Sequence, residues 1–387
     1  LVFALVSSVE FSLSSGSSYV SINSEDFAVL AVLVVYILTQ IKRGYWNLRL
    51  TMPQTTGVLG ILTFWITITT VLAVVQLDAG LLSFLWLFKL FEVFVLFGIL
   101  QDQLDKFRGL LVCNGLVLSG SLLGMMAIFQ KISGGRRRAQ VFFDNPNTLS
   151  TFLVLLVVLS LGLLLHYEGR YRLFHSSGVV LGALGIFTTG SRSGLLGLVV
   201  GLSVFLVLVL SRRDIETHRI PKKGIGLGVI GVLLLVPYLL PDLWRRLTGW
   251  FRIMNGKLVL TDTSAAQPIQ TRIRLFNEAI GLFQNRPIFG YGWFASPGRV
   301  GYLDIHYTTL PVELGFLGFI LYLLFYIMLV KDGLRVVNNG PFFLGAALVS
   351  WFIAILVQSI GGNFLRAPQV LMITLLFFTA VKSTEIR

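Results

Sequence analysis

Long apolar runs separated by short polar segments dominate the chain. A run of about 20 mostly apolar residues is enough to cross a bilayer as a helix. The sequence carries such spans near 27–42, 55–76, 81–101, 109–130, 148–166, 172–189, 193–211, 224–240, 308–330, 340–360 and 366–382. These make eleven, or twelve if the apolar stretch Leu1–Val6, which ends in the Ser-rich segment Ser7–Ser24, is the remnant of a first span. A signal peptide would show a basic n-region there, and none is visible. The expected fold is all-α: a polytopic membrane protein of about 12 transmembrane helices, the first truncated, forming a single integral membrane domain over 1–387. A large outer loop, 241–303, is expected to carry short amphipathic helices.

Composition agrees with the pattern. Of the 387 residues 55% are hydrophobic and 13% charged, whereas a soluble domain carries about 25% charged residues. That excludes a soluble enzyme, a disordered chain and a fibrous repeat. One cysteine (Cys113), four histidines and the absence of any CxxC or HExxH pattern leave no sequence case for a resident metal, and no cofactor is expected.

Charge sets the orientation. The net charge is +13, but the basic residues lie between apolar runs, so membrane lipids and anionic membrane substrates are the expected partners rather than nucleic acid. Alternate loops are rich in Lys and Arg: Lys42, Arg43 and Arg49; Lys106 and Arg108; Arg170 and Arg172; Arg212 to Lys223; Lys331 and Arg335; Lys382 and Arg387. By the positive-inside bias these are cytoplasmic. Four outer places hold basic residues against that trend: Lys131 with Arg136–Arg138, Arg192, the segment 241–303, and Arg366. An Arg at membrane depth costs about 2.5–3.5 kcal/mol on insertion scales, and Arg192 has almost no loop to hold it.

Thr188-Thr189-Gly190-Ser191-Arg192-Ser193-Gly194 reads as a small-residue turn between two spans. The N–H groups that start the second helix, the Ser hydroxyls and a guanidinium suit a phosphate; a snorkelling Arg at a span end is the alternative. In the long loop, Leu243, Trp244, Leu247, Trp250, Phe251 and Met254 recur at helical spacing and read as an interfacial helix. A second helix is expected from about Ile269 to Gln284, with Ile273, Phe276, Ile280 and Phe283 as its apolar stripe. Arg272 lies on a line with Phe276, Ala279 and Phe283 and is the better ligand candidate, while Arg274 falls opposite and can pair with Glu278. Pro287 then stops the helix, and Gly290-Tyr291-Gly292 turns tightly. Asp304-Ile305-His306 stands at the outer mouth of the span 308–330, where His306 is either a general base or a surface histidine. Glu313, inside that span, either holds His306 or an Arg in place or serves helix packing. Asn147 caps the span 148–166 or, with Arg138, touches an anionic substrate.

Together these features resemble the O-antigen ligase and polymerase superfamily of bacterial surface-glycan assembly, which is related to O-linked oligosaccharyltransferases. The resemblance rests on Asp144-Asn145-Pro146-Asn147 opening one span, Gly190-Ser191-Arg192-Ser193-Gly194 opening another, and a large outer loop with Arg272-Ile273-Arg274-Leu275-Phe276, Pro287 and Gly290-Tyr291-Gly292. A closing His306…Glu313-x-Gly315-x-x-Gly318 completes it. Tyr307 stands where the family often has Asn, and Asp304 occupies the usual His spacing.

The resemblance implies a glycosyltransferase at the outer face of the cytoplasmic (inner) membrane, with its active site facing the periplasm or cell exterior. The donor would be a glycan on a polyprenyl pyrophosphate carrier. The acceptor would be a hydroxyl on a glycan, a lipid core or a protein. The reaction would be inverting and metal-independent, with Arg192 and Arg272 stabilising the leaving diphosphate and His306 as base. Arg138, Asn147, Ser191 and Ser193 would help bind the donor, and Glu313 and Asp304 would support the site. A polymerase of the same superfamily is the alternative; a lipid-linked glycan transporter or a non-catalytic scaffold is the alternative of another class.

Overall fold

The computed structural model describes residues 10–15, 18–44, 50–77, 82–134, 138–143, 145–212, 251–254, 257–260, 267–293, 306–360 and 368–385. Helices dominate. In chain order they are α1 (Ser24–Arg43), α2 (Pro53–Leu77), α3 (Leu82–Gln103), α4 (Lys106–Ile132), α5 (Pro146–His166), α6 (Tyr171–Thr189), α7 (Arg192–Ser211), α8 (Gln267–Asn285), α9 (His306–Asn339), α10 (Phe342–Gln358) and α11 (Pro368–Lys382). Apart from α8, each coincides with an expected span. Leu1–Val6 and the span 224–240 lie outside the described residues, so twelve helices is not the count the structure gives. Six helices, α2, α3, α4, α5, α7 and α9, are long and apolar enough to cross a bilayer, and α10 and α11 are shorter apolar helices. The protein is a multi-pass membrane protein.

Two short hairpins depart from the all-helical expectation. Glu10–Ser15 (β1) pairs antiparallel with Ser18–Asn23 (β2), and Phe251–Met254 (β3) with Lys257–Leu260 (β4). Gly16-Ser17 and Asn255-Gly256 stand between the paired strands in sequence, and both are two-residue hairpin signals. The interfacial helix expected over Leu243–Met254 is therefore corrected at its end, where Phe251–Met254 is extended; Leu243 to Trp250 lie outside the described residues.

The core is built around α5 and α10. Helix α5 is apolar all round, and every residue from Leu149 to Ser160 is buried, as expected of a helix surrounded by others. In α10 the same holds from Leu344 to Phe352. Helix α6 lies against α4 and α5 through small residues: Gly185 approaches the Cα of Gly124, and a Cβ on Gly124 would stand 2.6 Å from the Leu181 carbonyl oxygen. Such contacts let backbones meet where lipid gives no hydrophobic drive for association.

Helix-end contacts fall into two sets. On one rim, rich in Lys and Arg, the Met52 amide donates to Gln101 Oε1 (2.9 Å), Arg212 to the Val337 carbonyl (3.0 Å) and Ser383 to the Asp105 carbonyl (3.1 Å). Asp332 accepts from Thr55 and Arg335, and Lys382 pairs with Glu385. On the opposite rim, the loop after α4 joins the α6–α7 turn to the start of α5, and the end of α10 contacts α5, α7 and the start of α9. This grouping matches the alternation expected from loop charge. One boundary differs: α9 runs to Asn339, so Lys331 and Arg335 lie in a helix rather than a loop. The first strong stop signal after the span is Asn338-Asn339-Gly340-Pro341, and nothing obliges a helix to end at the membrane surface.

Helix α9 is broken. Gly315 has φ 68° and ψ −178°, far from helical values. Residues 287–293 fill the break. The Tyr291 and Gly292 amides donate to the carbonyls of Val312 and Glu313 (both 2.9 Å), and the Phe316 amide donates to the Pro287 carbonyl (2.7 Å). From α2, Trp65 Nε1 donates to the Leu314 carbonyl (2.9 Å), and Thr70 Oγ1 accepts from the Trp293 amide (3.1 Å). The backbone groups freed by the break are thus re-satisfied inside the protein, as membrane burial requires.

Candidate active site

The α6–α7 turn forms at a left-handed glycine. Gly190 (φ 59°) caps α6, its amide donating to the Phe187 carbonyl (3.1 Å), in the conformation that glycine adopts at least cost. Ser191 is the N-cap of α7 and is fully buried; its Oγ accepts from the Gly194 amide (3.1 Å) and lies 3.2 Å from Ser193 Oγ. Arg192 is the first residue of α7 and is half-buried. A helix N-terminus, two hydroxyls and a guanidinium thus meet in three consecutive residues, which suits a phosphate.

Arg138 ties this turn to the start of α5. Its Nε donates to the Thr189 carbonyl (2.8 Å) and an Nη to Asn147 Oδ1 (2.9 Å), while the Ala139 amide donates to the Thr188 carbonyl (3.1 Å). A cation at the carbonyl end of α6 also complements that helix's dipole. Two Arg138 donors therefore hold the scaffold. Asn147 is not the cap of α5, contrary to the first of its two expected roles: Asn145 is, its Oδ1 accepting from the Asn147 amide (2.8 Å). The reason is Pro146, whose fixed φ suits the first helical position and starts the helix there.

The end of α10 joins three elements. Thr151 of α5 donates to Gln358 Oε1 (2.6 Å), and a Cβ on Gly197 of α7 would overlap the Gln358 amide group. Two residues earlier, the Leu356 carbonyl accepts from Tyr307 Oη (2.8 Å). The last turn of α10 thus touches both α7, which opens with Arg192, and the start of α9, which opens with His306. Sequence patterns single out neither Gln358 nor Tyr307 as a positioning residue. The one signal for Gln358 is a lone amide closing an otherwise apolar run.

The remaining candidates are placed less completely. Arg272 lies in α8 and His306 begins α9, but their side chains are outside the described residues, as are Asp304, Asp144, Arg136, Arg137 and Arg366 altogether. Helix α8 packs on α9 through Leu275 and Ala279, which cluster with Tyr291 and Val312. This corrects the apolar stripe: Phe276 and Ile280 are exposed, and the packed face is Leu275, Ala279, Leu282 and Phe283. Arg272 keeps its place on the helical line of Ala279 and Phe283. Arg274 and Glu278 are both exposed and form no ion pair among the described residues. Glu313 is fully buried beside the break in α9, its carbonyl accepting from Gly292. Among the described residues no group of His, Cys, Asp and Glu is arranged to hold a metal ion.

Residues 177–323 match the family model described as O-antigen ligase. This stretch, 147 of the 387 residues, is similar to the O-antigen ligase family. It begins within α6 and ends within α9, so it takes in the α6–α7 turn, α8, the 287–293 turn and the break at Gly315. The match supports a membrane enzyme of the O-antigen ligase or polymerase type. No curated protein matches the chain.

Proposed function

We propose that the protein transfers a glycan from a polyprenyl pyrophosphate carrier to an acceptor hydroxyl, on the extracytoplasmic side of the cytoplasmic membrane, as an O-antigen ligase does. The observation that supports this reading is the last turn of α10, which contacts α7 at Gly197, five residues after Arg192, and the start of α9 at Tyr307, next to His306. The positive-inside bias assigns the opposite rim to the lysine- and arginine-rich side, the cytoplasm.

In the reaction, the acceptor hydroxyl oxygen attacks the anomeric carbon from the face opposite the phosphate. The bond from that carbon to the phosphate oxygen breaks, and the diphosphate leaves on its lipid with inversion. The acceptor proton passes to His306. Negative charge builds on the departing phosphate, where Arg192, the α7 N-terminus and Arg272 stabilise it as fixed donors. Ser191 and Ser193 contact the phosphates, with Arg138 and Asn147 fixing the turn that presents them. Glu313 and Asp304 support the His306 segment.

The test is reconstitution in sealed proteoliposomes, with lipid-linked glycan and acceptor supplied on the same side. Product with inverted anomeric configuration is expected, at a rate unchanged by excess EDTA. If no product forms in either orientation while glycan crosses the bilayer, the protein is a transporter and the proposal is wrong. A ladder of extended glycans on the carrier, rather than a single transfer to another acceptor, would identify a polymerase.

A further inference from the structure

At the rim that loop charge assigns to the cytoplasm, four elements surround a polar cavity that the transfer chemistry does not use. Its volume is about 500 Å³, and its walls come from the end of α1, the approach to α2, the α3–α4 turn and the end of α11. Bonds between elements fix this frame. The Met52 amide donates to Gln101 Oε1 (2.9 Å), and Ser383 Oγ donates to the Asp105 carbonyl (3.1 Å). A Cβ on Gly109 would overlap Ser383 Oγ and stand 2.5 Å from the Ala380 carbonyl oxygen, so glycine lets α4 and α11 meet beside the cavity. The charges inside do not cancel. Asp105 accepts from the Arg108 amide (2.8 Å), with the Arg108 guanidinium 3.6 Å away, and Glu385 pairs with Lys382. Asp102 accepts from Gln40 (3.4 Å) and Gln103 (2.6 Å). That leaves two cations, Arg43 and Lys106, against the one carboxylate of Asp102, which already has amide donors. Arg43 and Lys106 both line the cavity and are exposed, and neither forms an ion pair among the described residues. Thr51 also lines the cavity, and its buried Oγ1 has no hydrogen-bond partner among the described residues.

We propose that this cavity binds a glycerol phosphate group at the cytoplasmic surface of the membrane, the head group of an anionic phospholipid. A buried hydroxyl without a partner is costly, and one that shares a cavity with two unneutralised cations suits a ligand that is anionic and rich in acceptors. A guanidinium offers a phosphate two parallel N–H bonds, and a lysine adds a compact point charge. The Thr51 hydroxyl donates to a further phosphate oxygen or to the glycerol. Lipid is the source at hand, since anionic head groups crowd the cytoplasmic leaflet and basic residues there attract them. Exposed Ile41 and Phe107 flank the two cations in sequence, so the acyl chains of a lipid held between Arg43 and Lys106 have apolar surface beside them. The bound head group ties α1, whose main helix contact is α3, to α4 and α11.

The inference stands apart from the proposed transfer reaction, and its test needs no turnover. Native mass spectrometry of the detergent-solubilised full chain, titrated with phosphatidylglycerol or phosphatidylcholine, gives the affinity of the first lipid bound. Phosphatidylglycerol is expected to bind at least about tenfold more tightly, and Arg43→Gln and Lys106→Gln are each expected to lower its affinity about tenfold, the usual effect of losing a charged hydrogen bond. Thr51→Val, which changes no charge, is expected to lower it about threefold. Lys331→Gln removes an exposed cation of α9 that does not line the cavity, and it is expected to leave the affinity at the parental value. Both cavity cations are exposed, so their variants are expected to melt like the parent in the absence of lipid. If phosphatidylcholine binds as tightly as phosphatidylglycerol, or if Lys331→Gln weakens binding as much as Arg43→Gln does, the rim attracts lipid through diffuse charge alone and the proposal is wrong. Displacement of phosphatidylglycerol by millimolar glycerol phosphate or inorganic phosphate would uphold the site with a soluble phosphate as its ligand; retention of the lipid under that challenge upholds the phospholipid.

Discussion

Two of the helix breaks at glycines of positive φ, Gly315 and Gly190, are used in opposite ways. At Gly315 the helix is broken and its loose backbone groups are consumed by the protein: Pro287, Tyr291, Gly292 and Trp65 supply partners to Phe316, Val312, Glu313 and Leu314. At Gly190 the break separates two helices, and the second of them starts with a buried serine cap and an arginine as its first residue. Arg138 braces the end of the preceding helix through neutral acceptors, a carbonyl and an amide oxygen. On the other rim, Arg335 and Lys382 meet carboxylates. One break closes the structure; the other presents the positive end of a helix. A left-handed glycine in a membrane protein therefore indicates where a helix stops, and the partners of the freed groups indicate whether the stop serves packing or binding.

That contrast can be broken by substitution. Arg192→Ala should lower glycan transfer about 100- to 1000-fold, the usual effect of removing one fixed donor to a developing anion, with melting temperature unchanged. Transfer at the parental rate would remove Arg192 from the chemistry. Gly315→Ala should destabilise the protein by about 3 kcal/mol, because alanine is strained at φ 68° and its Cβ would overlap the Ile288 carbonyl oxygen; a thermal-shift assay in detergent reads this directly. Trp65→Phe should cost about 1 kcal/mol, the net worth of one hydrogen bond, with loss of protection of the 287–293 turn in hydrogen exchange. Ser191→Ala should cost a similar amount, about 1 kcal/mol for a lost cap, yet its larger signature should be a raised KM for the donor. If Trp65→Phe raised that KM as much as Ser191→Ala did, the two breaks would not be functionally distinct.

Much of the fold is legible in the sequence because membrane burial leaves few choices. Runs from α1 to α7 and from α9 to α11 follow from apolar length alone, and loop charge sorts their ends into two rims. The packed face of α8 is not legible in the same way. Phe276 and Ile280 are as apolar as Leu275 and Leu282, and periodicity finds an apolar stripe without revealing whether lipid or protein covers it. The cap of α5 stands two residues before Asn147; Asn145 and Asn147 are both good capping types, and only Pro146 between them decides. Of the candidate site, the Gly190–Gly194 turn is readable as an anion site from its small residues and lone arginine. Gln358 and Tyr307 are not, since their roles depend on which helices become neighbours, and neither local propensity nor spacing carries that information. The hairpin at Phe251–Leu260 has a usable signal in Asn255-Gly256, outweighed by helical spacing of the aromatic residues before it.

The turn at 287–293 bonds to Thr70 in α2 and to Val312, Glu313 and Phe316 in α9, while Trp65 of α2 bonds to Leu314 of α9, so the junction joins segments synthesised far apart in time. Until α9 has entered the bilayer, α2 has nothing to receive its Trp65 indole, and the turn has no cleft to occupy. Closure of this three-way junction must come late in biogenesis. A chain that ends before Gly315 would lack the acceptors for the turn and for Trp65 and would leave the junction open.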